Sequence, residues 1–195
     1  MNQKIVTILE ESLTLKMTLV QDESLIQTIR QIVERTIEAL RNNKKILFCG
    51  NGGSAADAQH LAAELSGRFY LDRPPLFSEV LHDNSSFLTA VANDYGYEEV
   101  FARGIEAKGQ EDDILFALST SGNSPSIVNA AKIAKKMKIS VIGLTGKTGG
   151  KLKEHCDLIA KIPSSNTPRI QEGHMLVGHI ICELVEEIIF KKNDD

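Results

Sequence analysis

Two side chains capable of acid–base or metal chemistry stand one helical turn apart in the first half of the chain. His60 and Glu64 are four residues apart, within a segment whose pattern predicts a helix from Ser54 to about Phe69. This spacing places both side chains on one helical face, where an imidazole and a carboxylate can share a metal ion or pass protons. The alternative interpretation is a solvated polar stripe, because such pairs are also common on protein surfaces.

A long, mostly apolar segment near the carboxyl end carries further candidates, and its pattern predicts a helix from Ile170 to Phe190. Gln171, His174 and His179 are polar positions among its apolar side chains. The apolar arc is wide enough to indicate burial in a core or in a subunit interface. A histidine in such a helix is more often a core residue than a ligand, so we interpret His174 as structural.

The segment 119–124, Ser-Thr-Ser-Gly-Asn-Ser, lies between a predicted strand over 113–118 and a predicted helix over 125–138. Hydroxyl donors, a glycine that permits close approach and free N–H groups at a helix N-terminus together form an anion site. An ordinary capped turn is the alternative, but one Ser or Thr suffices for capping. The pattern therefore favours phosphate binding. The hydroxyl side chains are those of Ser119, Thr120, Ser121 and Ser124.

A second polar turn, Gly-Asn-Gly-Gly-Ser-Ala over 50–55, follows the apolar run 44–49. It lacks the Gly-Lys-Ser/Thr ending of a P-loop, and it fits the dinucleotide pattern G-x-G-x-x-A only loosely. Asp72 stands at a suitable distance for a ribose carboxylate. However, Asp72 precedes Pro74 and Pro75 instead of ending a strand. The context of a dinucleotide site is therefore missing.

Short apolar runs alternate with helical patterns through most of the chain. Strands are predicted over 44–49, 76–81, 113–118, 139–144 and 157–162, and a further helix over 87–92. The alternation predicts an α/β fold with a mostly parallel sheet covered by helices on both faces. Both polar turns then lie at the carboxyl ends of strands, where such sheets bind ligands.

The first 42 residues have an apolar stripe at helical spacing. They predict an N-terminal helical arm that packs on the core or on a neighbouring subunit. Either Asp22 or Ser24 can cap a helix of this arm. The remaining residues contain no repeat or low-complexity linker, so we expect a single domain over 1–195.

Composition restricts the classes of partner. The chain has 195 residues and a formal net charge of −4 without a dominant Lys/Arg run, so nucleic acid is not an expected partner. No apolar stretch approaches the roughly 18 residues of a membrane span, and no signal-peptide pattern is evident. Three scattered cysteines without a CxxC pair fit a reducing compartment. We therefore expect a cytoplasmic protein.

Three segments in order resemble the phosphoheptose isomerase branch of the SIS (sugar isomerase) family. They are GNGGSAADAQH over 50–60, STSGNS over 119–124, and RIQE-x-HM over 169–175. The resemblance implies a five-stranded parallel sheet flanked by helices and a homotetramer whose active sites lie between subunits. It also implies isomerisation of the ketose sedoheptulose 7-phosphate to D-glycero-D-manno-heptose 7-phosphate through an enediol. That reaction opens nucleotide-activated heptose biosynthesis, which supplies precursors of lipopolysaccharide or capsule.

The resemblance also implies roles for individual residues of this chain. The residues implied to contact the sugar phosphate are Asn51, Gly52, Gly53, Ser54, Glu64, Asn93, Asp94, Ser119, Thr120, Ser121, Ser124 and Gln171. The implied ligands of one zinc ion per subunit are His60, Glu64, Gln171 and His179. Glu64 and His179 match the catalytic acid/base pair. Nitrogen and oxygen ligands suit zinc, but also other divalent ions.

The spacing of two implied ligands raises a geometric question. Gln171 and His179 are eight residues apart, which corresponds to about 12 Å of helical rise and roughly 80° of rotation. In an ideal helix, the side chains of these two residues do not readily reach one ion. Long side chains, an irregular first turn or ligands from different subunits would each resolve the difficulty.

Other classes of SIS protein remain as alternatives. One is a non-catalytic relative that binds a replication initiator, but that branch lacks the catalytic glutamate and the second histidine, whereas Glu64 and His179 are present here. Another is a transcription regulator, for which 195 residues leave no room for an added DNA-binding domain. We therefore expect an isomerase.

Overall fold

Strands and helices alternate along the computed structural model, which describes residues 1–191; the last four residues of the expected 1–195 domain lie outside the described residues. The helices are α1 Asn2–Gln21, α2 Glu23–Arg41, α3 Gly53–Ser66, α4 Ser85–Tyr95, α5 Val100–Lys108, α6 Pro125–Lys136 and α7 Thr167–Phe190. The strands are β1 Ile46–Cys49, β2 Ser78–Val80, β3 Ile114–Ser119, β4 Ser140–Thr145 and β5 Leu158–Lys161.

The five strands form one parallel sheet in the order β2-β1-β3-β4-β5, which confirms the predicted α/β fold. From β1 the chain winds outward to β2, then returns past β1 to form β3 on its other side. The strand order therefore reverses between β1 and β3, where Cys49 is paired with Ala117. The helices that follow these two strands, α3 and α6, pack on opposite faces of the sheet, and the space beyond the carboxyl ends of β1 and β3 is called the crevice below.

Both faces of the sheet are covered, which explains why its strands are apolar at successive positions. In β1, Ile46 and Phe48 belong to the core shared with α1, α2, α3 and α7. Leu47 and Cys49 belong to the core on the other face, with α4, α5 and α6. Phe48 also stacks on Phe116 of β3, with ring centroids 4.8 Å apart. The central strands are thus anchored between two helical layers.

The predicted N-terminal arm consists of two helices that differ in burial. Asp22 caps α2, because its side chain accepts a hydrogen bond from the Leu25 N–H at 2.9 Å. α2 packs on the core, whereas α1 buries only Leu15 and Leu19. The exposed apolar side chains of α1 include Ile5, Val6, Ile8, Leu9, Leu13, Met17 and Val20.

Polar contacts attach α1 to the first turns of α7. Arg169 donates to the Ile8 carbonyl at 2.8 Å, and the Ser12 hydroxyl donates to Glu172 at 2.9 Å. The arm is therefore joined to the part of α7 that contains Gln171. Among residues 1–191, none of the helices has the length and apolarity needed to cross a lipid bilayer.

The observed boundaries refine the predicted ones. The predicted strand over 76–81 is only the three-residue edge strand β2, which begins after the proline pair and hydrogen-bonds to one neighbour. α5 was not predicted, although Val100, Phe101 and Ile105 are buried at helical spacing. It is nine residues long and contains Gly104, so its periodic signal is weak.

Candidate active site

The two polar turns predicted to bind ligand meet at the crevice between β1 and β3. They are the glycine turn over 50–55 and the hydroxyl-rich turn over 119–124. The Asn51 amide nitrogen donates to the hydroxyls of Ser124 and Ser126 at 2.8 and 3.0 Å. The Asn51 amide oxygen accepts from the Tyr97 hydroxyl at 2.8 Å. The Asn51 side chain therefore joins the two turns to each other.

Tyr97 was missed by sequence reasoning. It lies in a short 3₁₀ turn, Tyr97–Glu99, that follows Gly96 at the end of α4. Its ring is 6.4 Å from that of Phe101 in an edge-on arrangement, and its hydroxyl reaches Asn51 across 46 positions of sequence. No local pattern marks such a contact, because it depends on how the segment between β2 and β3 returns over the sheet.

The start of α6 has no side-chain cap, so the capped turn that was the alternative interpretation of this segment is not formed. Ser124 is the N-cap residue, but its side chain caps no N–H group; it accepts from Asn51 instead. The Ser119 hydroxyl accepts from the Gly122 N–H at 3.1 Å, which closes the turn. The positive end of the α6 dipole and its first N–H groups thus face the crevice, as an anion site requires.

Gly122 is required by the shape of this turn. Its φ is +66°, a region that residues with a Cβ rarely adopt. A Cβ at this position would also lie 2.2 Å from the carbonyl oxygen of Gly149. The turn is therefore pressed against the neighbouring loop after β4, and its geometry depends on a residue without a side chain.

His60 and Glu64 of α3 meet His179 of α7 at the predicted catalytic position. His60 Nε2 is 2.9 Å from His179 Nε2 and 3.1 Å from Glu64 Oε1. Glu64 is 23% exposed, and the Phe69 ring centroid lies 5.8 Å from that of His179. The pair on α3 is therefore part of a tertiary cluster and differs from a simple solvated stripe.

The chemistry of this cluster fits a divalent cation. One ligand atom from each of His60, Glu64 and His179 lies within 4.8 Å of the other two. The two facing Nε2 atoms cannot both carry hydrogen at a separation of 2.9 Å, so at least one lone pair points into the cluster. Two imidazole nitrogens and a carboxylate oxygen form the kind of set that binds zinc or a similar divalent ion.

Gln171 lies in a regular part of α7, because the helix begins at Thr167 and continues to Phe190. An irregular first turn therefore does not explain its implied ligand role. Its amide packs against the glycine turn, since a Cβ on Gly53 would lie 2.2 Å from Gln171 Nε2. The structure thus places Gln171 beside the start of α3, and its role as a fourth ligand remains a prediction.

Other predicted substrate residues lie at the start of α3 and near the end of α4. Gly52 has a φ of +56° and is the N-cap residue of α3, and Ser54 is buried in the first turn. Asn93 and Asp94 are exposed at the end of α4, where the Asn93 amide donates to Asp94 at 2.8 Å. Their contact with substrate remains a prediction.

Burial or partial burial shifts the pKa of three ionisable groups near the site. His174 is fully buried, and burial lowers its pKa to about 4, so a neutral core residue agrees with its structural interpretation. Burial also raises the pKa of Asp57, one turn before His60 on α3, and His60 opposes that shift. Burial raises the pKa of the Cys182 thiol to about 12, which makes it an unreactive thiol.

Comparison with known proteins shows the family of this chain. The family model of the SIS domain matches residues 11–146. The phosphoheptose isomerase of Aneurinibacillus thermoaerophilus is 50% identical over 191 residues, which cover 98% of this chain and 96% of the relative. The solved phosphoheptose isomerase of Neisseria gonorrhoeae is 38% identical, with a TM-score of 0.89 over 95% of this chain and 98% of that one. The corresponding structure from Francisella tularensis is 36% identical, with a TM-score of 0.91 and coverage of 95% and 97%. The chain therefore belongs to the SIS domain family and, within it, to the phosphoheptose isomerases.

Proposed function

We propose that this isomerase converts sedoheptulose 7-phosphate into D-glycero-D-manno-heptose 7-phosphate through an enediol, the first step of nucleotide-activated heptose biosynthesis. The observation that carries this proposal is the convergence of Glu64 and His179 in one cluster, in a fold that also provides two turns suited to a phosphorylated sugar. The product would supply precursors of lipopolysaccharide or capsule. A non-catalytic binding protein would have no use for such an acid/base pair.

The hydroxyl-rich turn is the proposed phosphate site. The N–H groups that begin α6 are uncapped by Ser124, and the hydroxyls of Ser119, Thr120 and Ser121 surround the same turn. Charge-assisted hydrogen bonds to a phosphate would use these donors. Binding the phosphate remote from the reacting carbons holds the sugar in place for proton transfer.

Glu64 is the proposed base for the carbon-bound proton. An aldose–ketose interconversion removes a proton from one carbon of the sugar and returns it at the neighbouring carbon. The carboxylate is partly buried and fixed by the His60 contact at 3.1 Å, so it is held in position for proton transfer. His179 is proposed to move protons between the sugar oxygens or to open the ring.

A zinc ion is the proposed cofactor, held by His60, Glu64 and His179, with Gln171 as the fourth ligand. When bound, the ion would polarise the sugar carbonyl. The contact of Gln171 with Gly53 within one chain favours a fourth ligand supplied across a subunit boundary.

Assembly into a homotetramer with active sites between subunits is proposed from the surface of α1. Its exposed apolar side chains include Ile5, Leu9, Leu13 and Val20, which recur at helical spacing. Monomeric proteins rarely expose large contiguous apolar patches, and a second copy of this arm would cover them. The three free cysteines agree with a proposed location in the cytoplasm.

Replacing Glu64 by Gln should lower kcat at least about 100-fold, because the general base is lost. Conversion of sedoheptulose 7-phosphate is followed by NMR, and the oligomeric state is checked in parallel. Glu183→Gln, at an exposed position of α7, is the matched control and should keep wild-type activity. Wild-type turnover in Glu64→Gln would refute the assignment of the base.

Removing divalent ions with a chelator should abolish turnover and leave the fold intact, because the proposed ligands use side chains from preformed helices. Turnover is measured by the same NMR assay, and circular dichroism reports the fold. Addition of zinc should restore activity. Full activity of the metal-free protein would contradict the proposed cofactor.

Gly122→Ala should raise KM for the sugar phosphate roughly tenfold or more, since the backbone strain is about 1–2 kcal/mol and a carbonyl blocks the added methyl group. Competitive inhibition by inorganic phosphate should weaken in parallel. Gly109→Ala is the control, because a Cβ there also meets backbone, the Ile105 carbonyl at 2.8 Å, but near the opposite end of β3. An unchanged KM in Gly122→Ala would argue against a phosphate site at this turn.

Leu13→Asp should shift the protein to smaller species, because a charge would enter the apolar face of α1, where Leu13 is 61% exposed in the single chain. Sedimentation velocity at fixed protomer concentration measures the change. Thr14→Asp adds the same charge to the polar side of the same helix and should leave the assembly intact. A tetramer that persists in Leu13→Asp would place the interface elsewhere.

A further inference from the structure

A buried ion pair joins the segment after α3 to α7, close to the catalytic cluster. Arg73 Nε lies 2.9 Å from Glu186 Oε2, and each side chain is only 2% exposed. Arg73 follows the end of α3 by seven residues, and Glu186 lies seven residues beyond His179 on α7. The pair therefore bridges the two helices that supply the proposed catalytic residues.

Glu186 also holds the loop that leaves α3. Its two carboxylate oxygens accept from the backbone N–H groups of Phe69, Tyr70 and Leu71 at 3.0, 2.7 and 2.8 Å. Burial alone would raise the pKa of Glu186, but these amides and Arg73 outweigh it and lower the pKa. The side chain is therefore ionised and its acceptor positions are filled.

Arg73, the partner of Glu186, binds the carbonyl groups at the end of α3. Its guanidinium donates to the carbonyls of Glu64, Leu65 and Gly67 at 2.8, 2.7 and 3.1 Å. These carbonyls belong to the last turn of α3 and its C-cap, which has no intrahelical donors for them. The backbone of Glu64 itself is thus held by Arg73.

The contacts of this pair extend to both members of the catalytic pair. On α3, Arg73 fixes the Glu64 carbonyl. On the other side, Glu186 fixes the N–H of Phe69, whose ring lies against His179 with centroids 5.8 Å apart. A change in the ion pair would therefore alter the separation of Glu64 and His179.

We propose that the Arg73–Glu186 ion pair is a positioning device that sets the spacing of α3 and α7 at which His60, Glu64 and His179 converge on a divalent cation. This role rests on the proposed function. Both residues act through others and touch neither the cation nor the sugar. Buried ion pairs contribute little net stability compared with apolar residues of similar size, so a role in specifying geometry is the better account of this one.

The chain offers a matched control at the opposite end of the sheet. Asp113 is 1% exposed and pairs with Lys45 Nζ at 2.6 Å. It also accepts from the backbone N–H groups of Lys45 and Gln110 at 3.0 and 2.7 Å. Like Glu186, Asp113 is a buried carboxylate held by one cationic side chain and backbone amides, but it lies at the start of β3, away from the crevice.

The test compares Glu186→Gln with Asp113→Asn in the full chain. Zinc affinity of the metal-free proteins is measured by competition with a chromophoric chelator, and kcat and KM are measured with sedoheptulose 7-phosphate. We expect Glu186→Gln to bind zinc about tenfold or more weakly, as loss of outer contacts to metal ligands does, and to lose kcat at little-changed KM. Asp113→Asn should keep both values, although both variants lose thermal stability.

Equal zinc affinity and kcat in Glu186→Gln and the wild type, or equal losses in both variants, would overturn the positioning role. If Glu186→Gln does not fold, Arg73→Lys replaces it, because lysine keeps the ion pair but cannot reach the same set of carbonyls. If the wild type converts the sugar without binding zinc, the metal assignment fails, and kcat alone decides on the ion pair. If it neither binds zinc nor converts the sugar, the proposed function fails first and the positioning role falls with it.

Discussion

The close, parallel packing of α3 against α7 is the contact on which the rest of the site depends. Gly178 permits it, because a Cβ there would lie 2.5 Å from the side chain of the buried Leu61. Gly53 permits the same approach at the start of α3, where it lies against the Gln171 amide. His60 and His179 are the sequence neighbours of Leu61 and Gly178, and their rings meet beside that contact. The position of the cluster thus follows from two places where a side chain is missing.

The parallel sheet determines where this helix pair can act. α3 leaves β1 and α6 leaves β3, so both helices begin at the crevice where the strand order reverses. Their N-termini, with uncapped N–H groups, face the same space. Asn51 then ties the two turns together through Ser124. The place of the proposed anion site therefore follows from the strand order and from the two helices that leave β1 and β3.

Two buried ionisable groups near the site are accommodated in different ways. Glu186 accepts from three backbone amides and Arg73, which offsets the cost of burying its charge. His174 illustrates the other solution, since burial keeps it neutral. The proposed catalytic cluster differs from both, because His60 and Glu64 keep part of their surface exposed.

Local spacing in the sequence determined much of this protein: the apolar strands, the two polar turns, and the His60–Glu64 pair on one helical face. These depend on residues within a few positions of one another, where helix and strand periodicity decides geometry. Two contacts were visible only in the tertiary structure. His179 contacts His60, which is 119 residues away in the sequence, and Tyr97 contacts Asn51, which is 46 residues away. The tertiary structure also revealed Arg73 and Glu186, which are 113 positions apart. Such contacts depend on how helices pack and where the strand order reverses. The pattern of residues within a few positions does not predict them, because it carries no information about which distant segments become neighbours.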